Sequence, residues 1–265
     1  MGRVTAPDDL DRIRAALAAA RTALEPFTPG EIDARMKSGD DPLTAADLAV
    51  DAAINAVLPR EGEGWFSEET KDSPDRLGCD RVWIVDPIDG TREFVMGIPE
   101  WCVSVGLVVG HRPVAGGIMS IAAGHTIIGS VDDGVLLNGE PVSDSGRADL
   151  RGALVLASRS EVKRGEWNAF FTTPIAVRNM GSVAYKLALV AAGLADATWT
   201  LVPKNEWDVA AGAALVAAAG GAVFGPDGEV IMFNQPNPLL PGFVAVAGSL
   251  ESEVRDFLKA YRTEH

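Results

Sequence analysis

The stretch Trp83-Ile84-Val85-Asp86-Pro87-Ile88-Asp89-Gly90-Thr91 carries the chemistry most plainly. An apolar strand over 82–86 delivers Asp86 to its end, Pro87 breaks the ladder, and Asp89 follows three residues later. Two carboxylates spaced i and i+3 around such a turn can converge on one point. Gly90 allows close backbone approach, and the N–H groups at the start of the following helix form an anion seat. Acid beside a phosphate-sized nest describes a metal–phosphate site. The same residues also fit a plain strand–turn–helix, with Asp89 as helix cap and Asp86 as turn former. An aspartyl-phosphate phosphatase signature needs its two Asp at i and i+2, one residue closer than here. An EF-hand loop needs Asp or Asn at alternate positions before its Gly, so it fails too.

Three further acidic points lie far away in the chain. Ser67-Glu68-Glu69-Thr70 follows the apolar Trp65-Phe66, Trp207-Asp208 opens a late helix, and Thr44-Ala45-Ala46-Asp47 opens an early one. Each has a purely structural reading: a solvated turn for Glu68 and Glu69, a cap for Asp208, a capping box for Thr44 and Asp47. Gathered together, Asp47, Glu68, Asp86, Asp89 and Asp208 would repel one another. At about 4 Å and an effective dielectric of 20, each like pair costs roughly 4 kcal/mol. Such a cluster persists only when cations neutralise it or protons stay on it. All-oxygen ligands suit a hard ion such as Mg²⁺.

Composition narrows the alternatives. The 265 residues carry a formal charge of −14, which repels nucleic-acid backbones and anionic membranes. Three histidines (His111, His125, His265) and two cysteines (Cys79, Cys102) exclude a His-rich zinc site and a disulfide framework. Any hydrolytic chemistry would therefore rest on carboxylates, hydroxyls and hard metals. No apolar run approaches 18 residues, the N-terminus has no signal-like core, and reduced thiols fit a cytoplasmic protein.

The elements that must position these residues follow from periodicity. Helical spacing covers 8–25 and 46–58, with a polar loop from Lys37 to Pro42 between them. Strand-like runs cover 82–86, 103–109, 113–120 and 125–130, predicting helices on one side of a largely antiparallel sheet. A second part begins near 150, so that 1–150 forms an N-terminal α+β subdomain and 151–265 a C-terminal α/β one. It holds strands at 153–158, 196–202 and 242–247, and helices at 161–170, 182–194, 208–219 and 249–262, an α/β alternation.

In order, T-x-x-D, E-E, W-I-V-D-P-I-D-G-T and a late W-D resemble the inositol monophosphatase superfamily of metal-dependent, lithium-sensitive phosphatases. The resemblance runs from Lys37 to Ala247. It implies a layered αβαβα sandwich holding two or three Mg²⁺, with Mn²⁺ as a substitute. Glu68, Asp86 and the carbonyl of Ile88 would hold the first ion, and Asp86, Asp89 and Asp208 the second. Asp47 and Thr91 would orient and deprotonate the attacking water. Backbone N–H groups of Gly90 and Thr91 would hold phosphate oxygens, with Glu69 outside direct contact.

Within that superfamily, Asp89-Gly90-Thr91-Arg92-Glu93-Phe94, Ala157-Ser158-Arg159-Ser160, and Gly181-Ser182 followed by Lys186 resemble the bacterial 3′(2′),5′-bisphosphate nucleotidases. Ser158, Ser160, Gly181, Ser182 and Lys186 would then contact substrate. Leu201 stands where inositol phosphatases carry a ring-binding glutamate, so it would form an apolar wall. The implied partner is a small phosphorylated nucleotide, adenosine 3′,5′-bisphosphate or its 5′-sulfated relative. Inositol 1-phosphate and fructose 1,6-bisphosphate are the alternatives, no nucleic acid or membrane is expected, and a homodimer is compatible. Lys204-Asn205-Glu206 fits a pocket lining or a crossover loop equally.

Overall fold

The computed structural model describes residues 3–36 and 42–264, so most of the loop read at Lys37–Pro42 lies outside the described residues. Five layers stack. The outermost is α1 (Asp9–Leu24) against α2 (Ala45–Asn55), joined by a ribbon of β1 (Ala34–Met36) and β2 (Pro42–Thr44). A seven-stranded sheet follows, running β3 (Gly64–Ser67), β4 (Arg81–Asp89), β5 (Cys102–Val109), β6 (Arg112–Ser120), β7 (His125–Ser130), β8 (Gly134–Leu137) and β9 (Glu140–Val142) in spatial order. Only β3 and β4 pair in parallel. Period-two alternation makes both faces apolar: Trp83 and Val85 of β4 pack under α1 and α2, while Val82 and Ile84 pack into the core on the other side.

A short α3 (Thr91–Val95) follows β4. The second sheet contains β10 (Leu154–Ser158), β11 (Ala176–Met180), β12 (Ala197–Thr200), β14 (Ala222–Phe224) and β16 (Phe243–Val246), in the order β11-β10-β12-β16-β14. A two-stranded ribbon, β13 (Lys204–Asn205) with β15 (Leu239–Leu240), stands apart. Between the sheets lie α5 (Val183–Ala191) and α6 (Glu206–Ala218). On the far face α7 (Glu251–Glu264) buries Val254 and Leu258 against Trp167, Phe170 and Trp199. This is the expected αβαβα sandwich. Among the described residues no helix is long and apolar enough to cross a membrane.

Differences from the sequence reading have local causes. The helix expected over 161–170 is a one-turn α4 (Arg159–Lys163) and a separate 3-10 turn at Asn168–Thr172, because Gly165 between them takes φ +83° and breaks the helical path. β4 does not end at Asp86. It runs on to Asp89 with a register irregularity: Asp86 faces Ser104 and Asp89 faces Cys102, three steps on β4 against two on β5. The extra residue bulges the strand and re-aims its side chains, and Pro87, having no N–H, loses nothing there.

One contact sets the spacing of the middle layers. Gly106 of β5 and Gly116 of β6 face each other in register. A Cβ at Gly106 would lie 2.8 Å from the Ala211 nitrogen, and one at Gly116 would lie 2.5 Å from the Ala211 oxygen. The backbone of α6 therefore rests directly on the sheet.

Candidate metal centre and phosphate site

The bulged end of β4, the loop after β3 and the start of α6 bring acid to one volume. Ligand oxygens of Asp86, Asp89 and Asp208 all lie within 4.8 Å of one another. Each carboxylate is anchored differently. Asp89 Oδ2 accepts from the Ser182 hydroxyl at 2.8 Å and from the Ala184 N–H. Asp89 thus holds the first turn of α5, whose own cap is Ser182, whereas the cap of α3 is Gly90, held at φ +97° where a Cβ would meet the Glu100 carbonyl at 3.0 Å. Asp208 Oδ2 accepts from the Asn205 N–H at 3.0 Å, closing the capping box of α6. Asp86 is 1% exposed, and its Oδ1 has no hydrogen-bond partner.

The electrostatics agree. Burial first, then the charges of Glu68, Asp89, Asp208 and Asp47, push the Asp86 carboxyl well above its ordinary range. Burial and the charges of Asp89 and Glu68 do the same to Asp208 against the opposing pull of Lys204. Asp89 is raised by burial, although Ser182, Ala184, Lys186 and Lys204 all act to lower it. An unpartnered buried carboxylate oxygen costs free energy unless something binds it. An all-oxygen set with that orphan atom fits a hard divalent cation, and Asp86, Asp89, Asp208 and the neighbouring Glu68 are the residues that could hold it.

Behind this cluster, Thr44 caps α2 and forms the expected box with Asp47. Asp47 Oδ2 accepts from the Thr44 N–H at 2.8 Å and its hydroxyl at 2.5 Å. Asp47 Oδ1 lies 3.1 Å from Thr91 Oγ1, which is also 2.9 Å from the Ile88 carbonyl oxygen. A cap and a site residue are therefore the same side chain, because a carboxylate has an oxygen for each task.

A cavity of about 330 Å³ opens over the cluster. Glu68, Asp86, Ile88, Asp89, Gly90, Thr91 and Asp208 line it, as do Ser158, Ser160, Gly181, Ser182 and Lys186. Asp47 reaches it only through Thr91. Leu201 is not brought there. It packs with the aromatic cluster of Trp167, Phe170 and Trp199 and lines a separate cavity of about 200 Å³. Its strand has already ended at Thr200, and the chain turns before Lys204 re-enters the site.

Lys186 is 3% exposed, and its Nζ donates to the Ser182 carbonyl at 2.7 Å within its own helix. Burial lowers its pKa against the pull of Asp89. Lys204 and Asn205 are pocket lining, whereas Glu206 is buried and accepts from the N–H groups of Asn234 and Gln235. Trp207 does both things: it lines the cavity and packs on Phe66 at 5.2 Å between ring centroids.

Arg92, Glu93, Arg159 and Arg164 also line the cavity, and none of them is among the expected site residues. Arg159 sits between two carboxylates, Nε 3.8 Å from Glu93 and Nη1 3.3 Å from Glu100. Lys204 Nζ is 3.2 Å from the buried Glu161. The only signal for Arg159 was its place inside the S-R-S segment. Arg164 follows a one-turn helix that periodicity could not resolve.

A model of the inositol monophosphatase family matches residues 8–261. Inositol monophosphatase 3 of Solanum lycopersicum is 37% identical over 157 residues, 56% of this chain and 58% of that protein, so the match spans just over half the length of the tomato relative. The structure of inositol monophosphatase from Anabaena superposes with a TM-score of 0.78 at 25% identity, covering 96% of this chain and 95% of the other. CysQ from Bacteroides thetaiotaomicron, described as a bacterial member of the inositol monophosphatase family, superposes with a TM-score of 0.75 at 28% identity, covering 93% and 99%.

Proposed function

This chain belongs to the inositol monophosphatase family, and from that premise we propose that it is a Mg²⁺-dependent phosphomonoesterase removing the 3′-phosphate of adenosine 3′,5′-bisphosphate. That it is a metal-dependent phosphatase follows from the family and the acidic cluster. The choice of substrate rests on one observation. The cavity that holds the acids also gathers Arg92, Arg159, Arg164, Lys186 and Lys204 from several elements. A lone phosphate seated on metal ions has little use for so many further cations; a substrate with a second anionic group does. Glu93 and Glu100 hold Arg159 in place, and Glu161 holds Lys204, so these two charges are pre-set rather than loose.

The roles of the residues follow from the contacts. Asp86, Asp89, Asp208, Glu68 and the Ile88 carbonyl would hold the ions, which supply Lewis-acid polarisation of the phosphate and a water of lowered pKa. Asp47, fixed by Thr44, accepts the Thr91 proton as Thr91 Oγ1 takes one from the attacking water. Backbone N–H groups of Gly90 and Thr91 hold phosphate oxygens at the bend that Gly90 alone can make. No nucleophilic side chain is required.

A second reading, hydrolysis of inositol 1-phosphate, is favoured by the names of the tomato and Anabaena proteins. Fold does not separate the two, since inositol monophosphatase and CysQ superpose about equally well. The apolar-wall argument for a nucleotide also falls away, because Leu201 lies elsewhere. A phosphate-release panel with Mg²⁺ decides between them. We expect kcat/KM for adenosine 3′,5′-bisphosphate to exceed that for inositol 1-phosphate and fructose 1,6-bisphosphate by at least about tenfold, one ordinary charge-assisted contact's worth. The reverse order overturns the nucleotide assignment, and release from none of them overturns the phosphatase.

A further inference from the structure

Glu68 stands on a short loop rather than a strand or helix, yet it must keep its carboxylate beside four others. Like-charge repulsion would swing a free loop outward. The loop is tied at three points. The Glu68 N–H donates to the Val85 carbonyl at 3.2 Å. The Ser67 hydroxyl donates to Asp51 Oδ1 at 2.5 Å, and the Thr70 hydroxyl donates to Asp51 Oδ2 at 2.6 Å. Thr70 Oγ1 also accepts from Trp65 Nε1 at 3.2 Å. Asp51 is buried on α2, one turn beyond Asp47. It does not line the cavity, and no role was read for it in the sequence.

We propose that Asp51 is the positioning residue for Glu68: its two oxygens clamp the hydroxyls on either side of the Glu68-Glu69 pair and so fix the metal-facing loop to the helix that carries Asp47. This rests on the phosphatase reading above. The carboxylate is chemically specific. Both partners donate, and a carboxylate accepts both with no donor left over. An asparagine would turn an N–H₂ toward one hydroxyl. That hydroxyl would then have to accept, and its own proton, now given to the carboxylate, would lose its acceptor. Through the clamp, α2 positions both the group that takes the proton from Thr91 and the loop that presents Glu68.

The test is Mg²⁺ binding by isothermal titration calorimetry on Asp51→Asn, Thr70→Val and the double variant, with thermal melting of each metal-free protein alongside. We expect Asp51→Asn to weaken Mg²⁺ binding about 10–100-fold, as loss of a partner behind a metal ligand does. Thr70→Val should weaken it less, the double variant no further than Asp51→Asn, and Thr70→Ser should restore wild-type affinity. Wild-type Mg²⁺ affinity in both Asp51→Asn and Thr70→Val, with only the melting point lowered, overturns the clamp and leaves the phosphatase reading standing. If Asp51→Asn does not fold, Thr70→Val alone decides. A wild-type protein that takes up no divalent ion overturns both.

Discussion

Strand β4 buries acid at both of its ends, and the two ends solve the problem in opposite ways. Near Arg81, Glu63 accepts a two-pronged contact from Arg12 at 2.9 and 2.5 Å, an N–H from Trp83 at 2.9 Å and a contact from Arg81 at 3.3 Å. Asp9, fully buried, pairs with Arg81 at 2.5 Å. Although burial opposes it, Arg12, Trp83 and the Arg60 N–H hold the Glu63 carboxyl down at about 2. At the other end Asp86 faces Glu68, Asp89, Asp208 and Asp47, keeps an orphan oxygen, and has its carboxyl pushed up. Where the chain supplies its own guanidinium groups, the acid is part of the fold. Where no such group reaches the carboxylate, as at Asp86, the acid is prepared for a cation from outside.

Three experiments would break or sharpen this contrast. The largest effect is expected from Asp86→Asn, which should cut phosphate release by about 10³-fold or more, comparable to removing a preorganised charge-stabilising group. The metal-free variant should melt no lower than wild type, since it loses repulsion rather than attraction. A large fall in its metal-free melting point would mean that Asp86 belongs to the fold.

Glu63→Gln should do the reverse. It breaks a partly buried, hydrogen-bonded pair and should cost about 1–3 kcal/mol in urea denaturation, while turnover per folded molecule stays within about twofold, too small a change for a group in the reaction. Acid should reproduce this loss. The folded pKa of Glu63 lies below its ordinary 4.5, so its stabilisation is full above 4.5 and disappears as pH falls toward about 2. Wild type should lose about 1–2 kcal/mol across that window, less than the full shift would give because solvent screens the half-buried group, and Glu63→Gln should show little of it.

The smallest effect is at the metal end. Asp86 and Asp208 have folded pKa values above 3.8, so the native state holds protons that the unfolded state has released. Stability of the chelator-treated protein should therefore fall as pH rises above about 4. Saturating Mg²⁺ or the Asp86→Asn change should flatten that slope in thermal melts, and an unchanged slope would contradict the assignment.

The sequence exposed one end of β4 far better than the other. Asp-Pro-Ile-Asp-Gly-Thr carries its meaning within six residues, because strand end, bulge and helix start are all local. Thr44 with Asp47, and Asp208 at its helix start, are visible as caps. Their second oxygens are not, since where those point depends on how α2 and α6 dock. Glu63 gave no signal at all: its partners Arg12, Arg81 and Trp83 meet it only through tertiary packing. Leu201 was misplaced for a related reason. A seven-residue separation from Asp208 fixes nothing once a strand ends and a ribbon intervenes. Lys186 is near the site as expected, but the helix carbonyl that its ammonium reaches was legible only in three dimensions.

The paired glycines beneath α6 have a reach beyond packing. Because main chain lies on main chain at Gly106 and Gly116, the depth to which the helix sinks is set by hard contact, and Asp208 rides on its leading turn. A single methyl at either position would act as a shim under a lever, lifting that turn and its oxygen away from partners donated by the other sheet strands. Hydrogen atoms at two remote positions thereby serve as the gauge against which the halves of an ion-binding cage are brought to match.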